Sequence, residues 1–235
     1  MTGSGNRSLL ARVGKRAWRT GRKLVIPQTQ TRHSLVGPAR LWEPKRRFQF
    51  EFLTSHGLRP EHRLLDIGCG TLRGGIPLIE YLEPGHYVGI EARAEVLEEG
   101  RNELAESGLT HKRPVLIHAA EPAGLRFETP FDMAWAFAVF IHMRDEVLRA
   151  YLALVSGLLT DGGSFYANVM LGDGVEGEWQ GFPVISRPLV AYESWAASCG
   201  LAMDIVGQPD TLGHLMGRGG RGMMICLTRK PPAPT

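Results

Sequence analysis

Asp66-Ile67-Gly68-Cys69-Gly70 sets an acid two positions ahead of a G-x-G turn, and a second acid, Glu91, follows twenty-five residues after the first. These types in this order suit the holding of a nucleotide. Glycine lets backbone approach a ligand with no Cβ in the way. A helix beginning just after the turn adds backbone N–H groups with no partner inside the helix. An acid at the end of the following strand can accept both hydroxyls of a ribose as a bidentate pair.

The elements that must position these residues alternate regularly from residue 45. "RRFQFEFLTSHG" reads as a helix ending at Gly57, "RLLDIG" as a strand, and "LRGGIPLIEYL" as a helix stopped by "EPG". "HYVGIE" is a second strand and "AEVLEEGRNELAESG" a helix closed by Gly108. "RPVLIHA" is a third strand and "FDMAWAFAV" a fourth. "RDEVLRAYLALVSGLL" is a helix closed by "TDGG", and "SFYANVM" is a fifth strand. "PLVAYESWAASCG" is a helix, and "LAMDIVGQ" and "GMMICLTRK" are two final strands with no room for a helix between them. Continuously apolar middle strands alternating with helices predict an α/β, Rossmann-like, doubly wound and mostly parallel sheet of seven strands. The last two strands are expected to pair antiparallel as a hairpin at one edge. Ligands of such sheets sit at the carboxyl ends of the strands, at the switch point of strand order.

NAD-type domains share the glycine turn and the second acid. Three features separate the two readings: the acid leading the turn, a fourth strand that opens with "FD" and leads into "VFIH", and the closing strand hairpin. A carboxylate at Asp66 would repel a pyrophosphate and suits the cationic amino acid part of S-adenosylmethionine. "LLDIGCGTLRGG…YVGIE…FDMAWAFAVFIHM…DGGSFY" resembles the class I S-adenosylmethionine-dependent methyltransferases over about residues 45–230. The resemblance implies strand 7 inserted antiparallel between strands 5 and 6. It also implies S-adenosylmethionine as cofactor. Asp66, Gly68 and Gly70 match the glycine loop, Glu91 the ribose acid, and Phe137 the position whose backbone faces the methionine. Cys69, Arg73 and Ala92 complete the expected cofactor wall. The third loop glycine is replaced by Leu72, and the Asp often found near adenine is replaced by Ala119 or Ala120, with Glu121 next. Cys69 reads as a small filler, since no base stands at a readable spacing from it.

Methyl transfer to a hydroxyl requires a base, and histidine suits that task near neutral pH. Of eight histidines, His142 leaves strand 4 at the ligand end, ten residues after Asp132, and is the expected base. His214, in "DTLGHLMGRGGRG", is the second candidate. The acceptor pocket is expected from the arm before residue 50, the loop 171–188 and the loop 207–221. Tyr166 and Asn168 at the end of strand 5, with Glu178 and Trp179 in the long loop, are its expected lining. An aromatic ring among carboxylates suits a sugar. The expected reaction is therefore O-methylation of a saccharide or small glycosylated metabolite. Methylation of another small natural product, of RNA or of protein, and a non-catalytic cofactor-binding module, are the alternatives. No metal-ligand spacing occurs, although Asp132, Asp145 and Glu146 do not exclude a divalent cation.

The remaining features concern the chain as a whole. Its 235 residues carry a net charge of +3 that hides an asymmetry: residues 1–50 hold twelve Lys/Arg and one acid, Glu43. The expected division is a basic N-terminal arm, 1–44, and a methyltransferase domain, 45–235. Residues 8–25 read as a basic amphipathic helix, suited to packing on the body, covering the site as a lid, or peripheral contact with an anionic membrane. The arm lacks the aromatic-interleaved basic strand of single-strand binders, which argues against nucleic acid. Three cysteines without CxxC spacing fit a reducing, cytoplasmic compartment. No apolar run approaches the roughly 20 residues of a spanning helix. The acceptor and a second copy in a homodimer are the expected partners.

Overall fold

The structure is a computed structural model and describes residues 32–214 and 221–230. The basic helix expected over 8–25 lies outside the described residues. A 3-10 turn, Ala39–Leu41, leads into α1, Trp42–Ser55. Then come β1 (Leu64–Ile67), α2 (Gly75–Tyr81), β2 (Tyr87–Glu91), α3 (Ala94–Glu106), β3 (Val115–His118) and β4 (Phe131–Ala136). The second half has α4 (Asp145–Leu158), β5 (Leu159–Met170), β6 (Gly174–Trp179), β7 (Phe182–Ser186), α5 (Leu189–Ser198), β8 (Leu201–Gly207) and β9 (Gly222–Arg229).

Seven strands form one sheet in the order β3-β2-β1-β4-β5-β9-β8. The first five pair parallel, and β9 runs antiparallel to both β5 and β8. The expected edge hairpin is β8–β9, with β9 the inner strand. The switch of strand order falls between β1 and β4, which places the β1 and β4 ends beside one crevice.

Strand alternation divides the core between two faces. Leu65, Ile67, Val88 and Ile90 pack with Leu148, Leu152 and Val155 of α4 and Tyr192 of α5. Leu64 and Tyr87 face the other way, onto Phe48, Phe52 and Leu53 of α1 and Leu78 of α2. All four β1 residues are buried, as a central parallel strand covered on both faces requires. Each fully buried leucine contributes about 1.5–3 kcal/mol.

The stretch 171–188, expected to be a loop, forms a two-stranded hairpin outside the main sheet. Trp179 pairs with Phe182 across Gln180-Gly181. Gln180 (φ 50°) and Gly181 (φ 83°) both adopt the left-handed region that a tight two-residue hairpin turn requires. Its abundant glycine and acid residues conceal the strand pattern. α1 begins at Trp42, ahead of the expected boundary at residue 45.

Candidate active site

A cleft of about 730 Å³ opens at the carboxyl ends of β1, β2 and β4, a size suited to a nucleoside-bearing small molecule. Of the residues expected there, Asp66, Gly68, Cys69, Gly70, Arg73, Glu91, Ala92, Ala120, Glu121, Phe137, His142, Glu178 and Trp179 all line it.

The glycine turn is shaped by close neighbours on both sides. Gly68 has φ +74°, and a Cβ there would lie 2.3 Å from Val139 Cγ2. Gly70 has φ +60°, and its Cβ would lie 2.9 Å from Val36 Cγ1. Leu72, at the position of the third glycine, keeps glycine's left-handed conformation with φ 59°. Its side chain is completely buried, so packing holds a backbone geometry that leucine alone disfavours. Cys69 is buried beside Gly89 of β2, and burial pushes its thiol up, away from the nucleophilic thiolate.

Two acids project into the cleft. Asp66 accepts the Tyr87 hydroxyl at 2.5 Å. Burial raises its carboxyl to about 7, against the pull of that hydrogen bond. Glu91 Oε2 accepts the Gly70 N–H at 3.0 Å, and Oε1 accepts the Arg93 N–H at 3.1 Å. A carboxylate offers about four lone-pair sites, so Glu91 retains one acceptor site for a hydroxyl beyond its bonds to Gly70 and Arg93.

Arg93 joins three walls of the cleft and was not singled out from sequence, though it follows Glu91 by two residues. Its guanidinium donates to Glu91 Oε1 (3.3 Å), to Leu35 O (3.3 Å) and to Gln180 Oε1 (2.6 Å). It also lies over the rings of Trp179 and Phe182, at 5.5 and 5.8 Å. The hairpin and the segment before α1 are thereby tied to Glu91. Arg32 holds that segment further back: fully buried, it pairs with Glu99, Glu103 and Glu106 of α3.

His142 sits on the turn after β4. Its Nδ1 lies 3.0 Å from Pro183 O, and its ring stacks on Trp179 with centroids 5.2 Å apart. A carbonyl only accepts, so Nδ1 carries the hydrogen and Nε2 keeps a free lone pair. Burial and nearby Arg93 lower the imidazole's affinity for a proton, overcoming the Pro183 contact, so the ring is neutral at pH 7. Arg187, itself buried, bonds Phe140 O, Met143 O and Asp145, and so fixes this turn from the base of the hairpin.

Three expected residues do not line the cleft. Asn168 is buried, and its Oδ1 accepts the Ala138 N–H. It braces a residue held at φ 58° just after Phe137, a supporting position instead of a substrate contact. Tyr166 packs edge-on against Phe52 and His56 under α1, because β5 continues to Met170 and leaves both residues short of the strand end. His214 is buried between Phe48 and Phe137, centroids 4.7 and 4.9 Å away, and burial pulls its imidazole down to about 4. It is a packed neutral ring behind Phe137.

Lys45 and Gln49 of α1, and Val36, Gly37 and Pro38 ahead of it, also line the cleft and were missed as individual residues. The i, i+4 spacing of Lys45 and Gln49 was the available signal. Two of the three acids considered for a cation are otherwise engaged: Asp132 accepts the Arg63 N–H and the Thr160 hydroxyl, and Asp145 pairs with Arg187. Among the described residues, no group of three or more His, Cys, Asp or Glu is placed to hold a metal ion. No described helix is long and apolar enough to cross a membrane.

The strand order, the acid-led glycine turn and the acid ending β2 define a Rossmann-like nucleoside-binding domain of the methyltransferase type. Residues 65–165 match a family of methyltransferase domains. Solved structures share the fold at low sequence identity. An S-adenosylmethionine-dependent methyltransferase from Clostridium acetobutylicum is 14% identical with a TM-score of 0.62, covering 81% of this chain and 92% of its own. Magnesium protoporphyrin IX methyltransferase from Synechocystis, with bound S-adenosylmethionine, is 14% identical with a TM-score of 0.62, covering 87% and 85%. A glycopeptide N-methyltransferase complexed with S-adenosylmethionine is 16% identical with a TM-score of 0.59, covering 79% and 87%. Residues 65–165 are thus similar to a methyltransferase domain, and the sheet around them has the fold of S-adenosylmethionine-dependent methyltransferases.

The residues present fit that cofactor. The turn is kept free of side chains at Gly68 and Gly70, where a Cβ would collide. Glu91 stands at the end of β2 with its carboxylate lining the cleft, where a ribose would lie. Asp66 supplies a carboxylate suited to an ammonium or sulfonium.

Proposed function

We propose that this methyltransferase acts on oxygen, with a hydroxyl of a saccharide or small glycosylated metabolite as acceptor and His142 as general base. The observation that carries the reading is the Nδ1 contact of His142 with Pro183 O, which leaves Nε2 as a proton acceptor on the cleft wall. S-adenosylmethionine supplies an activated methyl group when bound. Glu91 and the turn at Gly68 and Gly70 would hold its nucleoside, and Asp66 its cationic end. His142 Nε2 would take the proton that an acceptor hydroxyl gives up as its oxygen gains the methyl group. A hydroxyl's own pKa is far too high for ionisation at neutral pH, so the base supplies roughly 10²–10⁴ in rate.

Trp179 and Phe182 support a sugar acceptor. Trp179 presents a ring to the cleft beside Glu178, a pairing suited to the C–H faces and hydroxyls of a pyranose. The test is S-adenosylhomocysteine release from S-adenosylmethionine across a panel of saccharides, glycosylated metabolites, amines and carboxylic acids. Turnover confined to hydroxyl acceptors and lost in His142→Ala supports the reading. Turnover on amines alone, unaffected by His142→Ala, contradicts it.

A further inference from the structure

The β6–β7 hairpin has little core of its own. The β6 residues from Gly174 to Glu178 are exposed, and the β7 residues from Phe182 to Ile185 are only half-buried. An isolated two-stranded hairpin is marginally stable in water, so contacts with the body decide where this one stands. Arg187 fixes its base, and the pairing of Glu176 with Arg221 holds its middle. Its tip meets Arg93. Gln180 Oε1 accepts the guanidinium N–H at 2.6 Å, and the rings of Trp179 and Phe182 both lie against the same guanidinium. Arg93 is 16% exposed and is held from behind by Glu91 and Leu35 O.

The same tip carries the groups that set His142. Trp179 stacks on the imidazole, the Phe182 ring centroid lies 6.5 Å away, and Pro183 O accepts the Nδ1 hydrogen. Trp179 and Phe182 therefore neighbour Arg93 and His142 together. Burial, to which these hairpin contacts contribute, lowers the imidazole's proton affinity first, and the Arg93 charge adds to it. The other charged groups around the turn are Glu91, paired with Arg93, and Asp145, paired with Arg187, while Glu121, Glu178 and Arg144 line the same cleft.

We propose that Arg93 is a positioning residue for the base: by clamping the hairpin tip to Glu91 it holds Trp179 and Pro183 on His142, so that Nδ1 keeps its hydrogen and Nε2 stays bare. The inference rests on the reading of His142 as general base and names a residue that acts through it. Without the clamp the tip loosens and water reaches the imidazole. Its proton affinity then rises, and the ring is protonated at a pH where the clamped ring is free.

The experiment follows the ring nitrogens by NMR in full-length protein labelled at histidine, titrated from about pH 5 to 8. The His142 signal is assigned by its absence from His142→Asn. The unmodified protein should show the Nδ1–H tautomer and a midpoint below 6.5. In Arg93→Met the midpoint should rise toward 6.5 and the bias to Nδ1–H should be lost. Gln180→Asn keeps a residue that tolerates the left-handed turn but shortens the group that Arg93 holds, so it should move both in the same direction. Melting temperatures show which variants fold, and Gln180→Asn decides if Arg93→Met does not. A merely structural role for Arg93 would lower the melting temperature and leave His142 as it is, so an unchanged midpoint and tautomer in the folded variants overturns the proposal. So does a raised midpoint in Arg93→Met with Nδ1–H retained and Gln180→Asn unchanged, which would make Arg93 a distant charge instead of a clamp. The base reading itself fails by a separate result, turnover that His142→Ala leaves intact.

Discussion

Glu91 Oε2 accepts the Gly70 N–H at 3.0 Å, so the acid that ends β2 is clamped to the turn that follows β1. The two sequence motifs, twenty-one residues apart, meet as one hydrogen-bonded unit. The clamp orients the carboxylate before any ligand arrives and is why the site is preorganised.

Glu91→Ala removes that clamp together with the proposed ribose contacts. Hydrogen bonds to a charged group contribute about 1.5–3 kcal/mol, so affinity for S-adenosylmethionine should fall roughly 10–100-fold. Isothermal titration of variant and parent measures this directly. Equal affinities would show that ribose is held elsewhere.

His142→Ala should lower turnover by roughly 10²–10⁴-fold while cofactor affinity is kept. The parent's kcat/KM should also fall as pH drops below the ordinary imidazole range, because burial holds the His142 pKa below 6.5 and protonation removes the Nε2 lone pair. Near-normal turnover in the variant would make His142 a packing partner of Trp179.

Gly68→Ala places a methyl group 2.3 Å from Val139 Cγ2 at a φ of +74°. Strain of that kind costs on the order of 1–3 kcal/mol, and the turn must shift to relieve it. Both the melting temperature and the cofactor affinity should drop. A fully stable variant with intact binding would show that the turn has room that the present geometry denies.

Two buried groups give stability opposite pH dependences. The His214 pKa is lowered from 6.5 to about 4, so below pH 6.5 the unfolded chain binds a proton that the folded one excludes. Its contribution is full above pH 6.5 and is lost as pH falls toward 4, by about 3 kcal/mol. The Asp66 pKa is raised from 3.8 to about 7, so the folded chain keeps a proton that the unfolded one releases. Its contribution is full below about pH 4 and is lost as pH rises toward 7, by about 4 kcal/mol. The slopes oppose each other in the parent. His214→Phe should leave the downward slope with rising pH, and Asp66→Asn the upward one, in denaturant unfolding at pH 4.5, 5.5 and 6.5. Identical profiles for both variants would contradict the assignment.

The parts of the fold that sequence revealed are those that local chemistry dictates. β1, β2 and β4 are apolar because both sheet faces are covered, and the turn at Gly68 needs glycine whatever surrounds it. The glycine-turn end of the cleft was legible for the same reason: Asp66, Gly70 and Glu91, which line it, follow one another in a fixed relation to consecutive strands. The rest of the cleft wall comes from elements far apart in the chain, and no local pattern joins them. Lys45 on α1, Arg93 after β2 and Trp179 on the hairpin converge only in three dimensions. The hairpin was hidden because Gly174, Gly177 and Gly181 read as loop punctuation. Asn168 was misplaced because a polar residue near a strand end resembles a ligand contact, and only the structure shows that the Ala138 N–H needs it.

The cleft lined by Asp66, Gly68, Gly70 and Glu91 is expected to bind S-adenosylmethionine. The most direct measurement is calorimetric titration of the full chain with S-adenosylmethionine and, separately, with NADH. The expected result is saturable one-site binding of S-adenosylmethionine and none of NADH. Saturable NADH binding, with no heat from S-adenosylmethionine, would contradict it.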